Sequence, residues 1–109
     1  MRHTQTITSD GDYSLATVER RAESDSYMAT INAAGTWAGG TITWKISFDN
    51  GATKNIMKDE SGSNVTSTAD DMFNCNLGNG GTNIDAPIIY ASMAGSAGAS
   101  VVVTLVDNN

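Results

Sequence analysis

Few residues in this 109-residue chain are of a type that does chemistry, and their spacing keeps them apart. His3 is the only histidine. A Ser–His–Asp or Cys–His device needs its imidazole fixed within hydrogen-bond reach of the nucleophile. A histidine in a polar terminal segment is not held that way, so His3 reads as an exposed polar residue or a contact on a partner. Cys75 is the only cysteine, which excludes an internal disulfide. It alternates with polar neighbours and reads as core filling, the usual fate of a free thiol. Asp70 and Asp71 are adjacent, so on a strand they point to opposite faces and cannot converge on one atom. Asp10 and Asp12 flank Gly11 and project to one side of an extended segment. Two carboxylates fall well short of the about six to eight oxygens that calcium takes, and no zinc ligand set is present. The glycine-rich stretch Gly35–Gly40 precedes a strand pattern, with no helix N-terminus and no lysine to cradle a phosphate. The sequence therefore predicts no catalytic residue, no metal and no cofactor, and a chain that is not an enzyme.

One short motif has a defined physical meaning. Ser47-Phe48-Asp49-Asn50-Gly51-Ala52-Thr53-Lys54 resembles the Asp-box, S-x-D-x-G-x-T-W, of sialidases and other carbohydrate-handling proteins, with Lys54 in place of the final Trp. In those families it stabilises a hairpin, its side chains satisfying turn backbone groups. Of the aromatic residues that could form a sugar platform, Trp44 reads as core. Trp37, beside a turn, either packs over the end of the fold or contacts a ligand or neighbouring subunit.

The elements that must carry these residues are strands. In Thr41–Phe48, Ile42, Trp44, Ile46 and Phe48 alternate with Thr41, Thr43, Lys45 and Ser47, the period of a strand with one buried and one wet face. Asn50-Gly51 signals a hairpin, and Thr53–Asp59 returns as its partner with Ile56 inward. Further strands are expected at Gln5–Ser9, Tyr13–Val18 (pairing back on the first), Tyr27–Ala33, Asn64–Ser67 and Met72–Leu77, the last with Phe73, Cys75 and Leu77 toward the core. Pro87–Met93 and Ser100–Val106 are apolar on both faces, so they are central strands or lie at a subunit interface. Ala94–Ala99 reads as the hairpin loop between them, and the glycine cluster Gly78–Gly81 as a break. Leu15–Glu23 is ambiguous between strand plus loop, a short helix and a charged crossover. Eight or nine short strands separated by turn signals predict an all-β, single-domain antiparallel sandwich, jelly-roll or Ig-like, or a partly open barrel. Residues 1–8 form an N-terminal arm or first strand, and residues 9–109 the sandwich domain.

Composition sets limits around this reading. Charged residues make up 17% of the chain, too few for a coiled coil, and hydrophobic residues 39%, too many for a disordered one. Twelve acidic residues against six basic ones give a net charge of −6, which opposes nucleic-acid binding. Residues 1–6 are polar with no apolar run after them, so no secretory leader is expected. The most apolar stretch, residues 97–106, is about half a membrane span. These features together lead to the expectation of a soluble protein made in a reducing cytoplasm.

The ordered set of turns resembles a known group. Ser9-Asp10-Gly11 is followed by Tyr27–Gly35, then Gly35-Thr36-Trp37-x-Gly39-Gly40-Thr41-Ile42-Thr43, then Ser47-x-Asp49-x-Gly51-x-Thr53. Tyr90-Ala91-Ser92-Met93-x-Gly95-x-x-Gly98-Ala99-Ser100-Val101-Val102-Val103 closes the series. Over residues 5–106 this is similar to the small β-sandwich virion structural proteins of tailed bacteriophages, the capsid decoration (cement) or knob proteins. The resemblance implies a non-enzymatic protein, commonly a homotrimer, seated on the major capsid protein lattice at the virion surface after assembly in the host cytoplasm. The chain departs from the group in Leu15–Glu23 and in lacking the last Trp of the hairpin motif. Arg2, His3, Thr4, Gln5 and Trp37 are then the expected capsid contacts. Ile89, Met93, Val102 and Val106 are the expected oligomer interface. The main rival is a phage tail, baseplate or fibre module that binds host surface glycan through exposed aromatics. A cellular carbohydrate-binding module is a third reading.

Overall fold

The computed structural model describes residues 2–18, 28–59, 61–76 and 87–107. The end of Leu15–Glu23 beyond Val18, together with Tyr27, Leu77 and Gly78–Gly81, lies outside them. All regular structure in the described residues is β: β1 (Arg2–Ile7), β2 (Gly11–Thr17), β3 (Met28–Thr36), β4 (Thr41–Ser47), β5 (Asn55–Ile56), β6 (Thr66–Ser67), β7 (Asp71–Asn76), β8 (Ile88–Ala94) and β9 (Ser100–Asp107). They form two antiparallel sheets, β1-β9-β3-β7 and β2-β8-β4-β5, with β6 also paired to β4.

One rule generates both sheets. The chain forms a long antiparallel ribbon in which β1 pairs with β9, β2 with β8, β3 with β7, and β4 with β5 and β6. Rolling the ribbon lays β9 against β3 and β8 against β4. This is jelly-roll topology, which settles the alternatives left open by the strand count. It also overturns two sequence expectations. β2 does not pair back on β1, and Ala94–Ala99 is not a hairpin loop. In each case the short connection carries the chain from one sheet to the other, so neighbours in sequence face each other across the core.

Alternation decides what fills that core. β4 buries Ile42, Trp44 and Ile46 while Thr41, Thr43 and Lys45 stay partly exposed. Ile31, Ala33, Val101, Val103 and Leu105 from the first sheet meet Leu15, Ile89, Ala91 and Met93 from the second. Trp44 meets Phe73 edge-on across the layers, ring centroids 5.4 Å apart at 67°, a geometry worth about 0.5–1.5 kcal/mol beyond area burial. β8 and β9 each sit between two partners, the central position that one of the two sequence readings gave them. Asn55–Ile56 is too short to impose alternation, so Ile56 is 38% exposed rather than inward.

Candidate functional site

The described aspartates hold loops. Asp10 ends the β1–β2 connection and accepts hydrogen bonds from Gly95 N, Ser96 N and Ser96 Oγ, clamping the β8–β9 crossing. The Ser96 hydroxyl, then its amide, keeps this carboxyl below its ordinary range. Asp70, at the entry to β7, accepts from the Trp37 indole Nε1 at 2.9 Å and from Gly35 N at 3.0 Å. The indole first and the amide second lower its pKa. Asp59 takes Ser61 N and Ser63 N to close a tight turn. Asp71 accepts from Ser67 Oγ, which in turn accepts the buried Trp44 Nε1 at 2.9 Å.

The Asp-box sequence builds the turn it implies. Ser47 Oγ donates to Asp49 Oδ1 and accepts Gly51 N, both at 2.8 Å, and Asp49 Oδ1 also accepts Thr53 N at 2.8 Å. The Thr53 amide, then the Ser47 hydroxyl, lowers the Asp49 pKa. Asn50 and Gly51 take the left-handed conformation the turn needs, with φ of 60° and 93°. The loop lies over the outer face of the β2-β8-β4-β5 sheet. Lys54, where the motif has Trp, stands 4.7 Å from the Tyr90 ring centre and 3.6 Å from Asp12. Lys45 approaches Asp12 from the other side at 3.8 Å. The Ser92 side chain and then these two lysines lower the Asp12 pKa. Asp10 and Asp12 therefore serve separate structural contacts and do not share a cation.

A cleft of about 680 Å³ lies at the open edge of the sandwich, between β7 and the β5–β6 segment. Its walls are mainly Ile46, Phe48, Ile56, Met57, Val65, Phe73 and Cys75, with Lys58, Asp59, Asp71 and Asn74 at the rim. Burial pushes the Cys75 thiol up to about 11, so it stays protonated and is a poor nucleophile at neutral pH. Lys58 is bound to Asn64, and Asp59 and Asp71 are engaged as above. The cleft's walls are mainly apolar, and the two carboxylates at its rim are already hydrogen-bonded within the chain. No group of three His, Cys, Asp or Glu side chains gathers to hold a metal among the described residues.

The expected contact residues are dispersed. Arg2, His3, Thr4 and Gln5 lie in β1, paired to β9 from Arg2↔Val106 to Ile7↔Val101, so the segment is a sheet strand and not a free arm. Arg2 and Thr4 face solvent, whereas His3 and Gln5 turn inward and are half-buried. His3 Nε2 is buried without a hydrogen-bond partner. Trp37 is buried, its indole held by Asp70, and is no contact platform. Ile89 and Met93 belong to the chain's own core, 0% and 2% exposed, because their face of β8 is the inner one. They are therefore not at an oligomer interface. Val102, 40% exposed, and Val106, half-buried, face outward. The loop-holding roles of Asp10 and Asp70 were missed by sequence reasoning. Their partners lie up to 86 and 35 residues away, and no local signal marks such a pairing. Compared with known proteins, the chain matches no family model, and no curated protein matches its sequence.

Proposed function

We propose that this chain is a non-enzymatic structural protein of a tailed-bacteriophage virion, one that decorates the capsid and stabilises it by binding the major capsid protein lattice as an oligomer. The observation that carries the reading is the use of the aspartates. Asp10, Asp12, Asp49, Asp59, Asp70 and Asp71 each bind a group within the chain itself. A fold whose carboxylates fasten its own turns is built for rigidity, and rigid plates suit repetitive attachment, where many modest contacts add by avidity. The phage assignment itself comes from the ordered turn motifs of the sequence. Among the described aromatic residues, both Trp indoles are buried and bonded and Tyr90 lies under Lys54, which favours the capsid reading over the glycan-binding one.

The test adds purified protein to capsids assembled from the major capsid protein alone. Electron microscopy should show added density at one lattice position, and the capsids should rupture at a higher temperature. Absence of binding, or binding only to tails or to host glycans on an array, rejects the proposal.

A further inference from the structure

The Asp-box loop contains a reactive pair as well as a turn. In an Asn-Gly pair the Gly nitrogen can attack the Asn side chain, because Gly carries no Cβ to shield it. Asn50-Gly51 is such a pair, and Asn50 is exposed, as are Asp49 and Ala52 beside it. Water therefore reaches the pair, and burial does not protect it. The backbone does. Ala52 N donates to the Asp49 carbonyl at 3.3 Å, and Asn50 and Gly51 have φ of 60° and 93°, the pattern of a type I′ turn. In that turn the ψ of the first central residue is about +30°, which points the Gly51 nitrogen away from the Asn50 Cβ. Ring closure needs the two on the same side of the Cα–C bond. Two contacts hold the turn in this state. Gly51 N donates to Ser47 Oγ at 2.8 Å. A Cβ on Gly51 would stand 2.8 Å from the Tyr90 hydroxyl, so the turn is seated against the sheet.

We infer that Asn50 is a deamidation site held closed by the Asp-box hydrogen bonds, and that local opening of this loop commits the chain to the reaction. The Gly51 N–H gives its proton to hydroxide, and its nitrogen bonds to the Asn50 Cγ. The Cγ–Nδ2 bond breaks, and ammonia leaves with a proton from water, which regenerates hydroxide. Water then opens the succinimide at one of its two carbonyl carbons. Opening at Cγ gives an aspartate; opening at the main-chain carbonyl gives an isoaspartate, with the former Cβ inserted in the backbone. One water is consumed, one ammonia is released, and nothing is oxidised or reduced. Ser47 opposes two of these steps. Its Oγ holds the N–H proton that must leave, and with Asp49 it fixes the backbone that must rotate. The change cannot be undone by refolding. An extra main-chain carbon does not fit a two-residue turn, and either product sets a second carboxylate beside Asp49. The inference stands apart from the capsid role.

The test incubates the full 109-residue protein at mildly alkaline pH, native and in denaturing guanidinium chloride, with tryptic peptide mapping by mass spectrometry over time. Asn50 is the only Asn in the peptide Ile46–Lys54, and Asn79-Gly80, the chain's other such pair, falls in a different peptide. The mass gain of amide-to-acid exchange in Ile46–Lys54, with aspartate and isoaspartate forms separated by reversed-phase chromatography, reads the reaction. It should run at least about tenfold slower in the native chain, which reacts only through local opening. Ser47→Ala strips Gly51 N of its acceptor and should speed the native reaction at least about fivefold, with circular dichroism unchanged. If that variant fails to fold, Asp49→Ala, at an exposed position, removes the acceptor of Thr53 N and Ser47 Oγ and takes its place. Ser67→Ala, which weakens the fold away from the loop, should leave the Asn50 rate near that of the parent. Native deamidation as fast as in denaturant, folded loop variants no faster than the parent, or Ser67→Ala acting as strongly as Ser47→Ala overturns the inference.

Discussion

At the scale of single residues, the polar side chains inside or beside the core work in chains of donors. Trp44 Nε1 donates to Ser67 Oγ, and Ser67 donates to Asp71. Ser67 is 4% exposed, so its removal leaves a buried indole N–H with no acceptor. Ser67→Ala should cost about 1–3 kcal/mol, read from the urea midpoint; a change below a few tenths would mean that water replaces the hydroxyl. The carboxylates give a pH dependence with a fixed sign. Asp10, Asp12, Asp49 and Asp70 are each held below the ordinary value of 3.8 in the folded chain. The folded state therefore binds protons less readily than the unfolded one. Its advantage is complete above the unfolded carboxylate range and is lost as pH falls through the lower folded values. Thermal melting should be flat from about pH 7 to about pH 5 and fall from about pH 4 downward. Asp70→Asn keeps an acceptor for Trp37 and Gly35 but removes the titration, so its curve should fall less steeply. An unchanged acid slope would show that Asp70 contributes nothing to it.

At the scale of elements, what was legible in the sequence was what a single strand imposes on itself. β4 announced its buried face because Thr41–Ile46 alternate without interruption; only Ser47, expected on the wet face, departs, buried where its hydroxyl holds the Asp-box turn. The Asp-box turn announced itself because its donors and acceptors lie within six residues of one another. Sheet membership was hidden. A strand crossing to the other sheet carries the same alternation as one folding back in a hairpin, and β1–β2 and β8–β9 both cross. Trp37 was ambiguous because the group that fixes it, Asp70, lies 33 residues on. Glycines show the same division. Gly35 in β3 has a φ of 146°, and a Cβ there would stand 2.2 Å from the Ser100 carbonyl oxygen of β9. Gly98 has a φ of 87° with open space around it. Gly35→Ala should therefore cost about 3 kcal/mol or more, since backbone rather than a flexible side chain is in the way. Gly98→Ala should cost about 1 kcal/mol from conformation alone. Equal losses in paired denaturation curves would show that close approach of β9 is not what Gly35 serves.

At the scale of the whole molecule, the roll is closed by its ends. β9 lies between β3 and β1, so the first and last described strands complete the same sheet. β1 holds its place through six paired residues and through Ile7, which is fully buried; the rest of its inward side is His3 and Gln5. Deleting Arg2–Ile7 removes Ile7 from the core and bares the edge of β9 from Val101 to Val106. That edge is long and contains no Pro, Lys or other charge to protect it. The truncated chain should lose several kcal/mol of stability and should associate through the exposed edge, by aggregation or by capturing a strand from another molecule. Deleting only Arg2–Thr4 keeps Ile7 and half of the ladder, so it should fold and stay dispersed at low concentration. Size-exclusion chromatography with circular dichroism distinguishes these outcomes. If the longer deletion elutes as a folded monomer with unchanged melting, β1 is dispensable to the roll. If the shorter deletion aggregates as badly as the longer one, the anchor is the outer half of the strand and not Ile7.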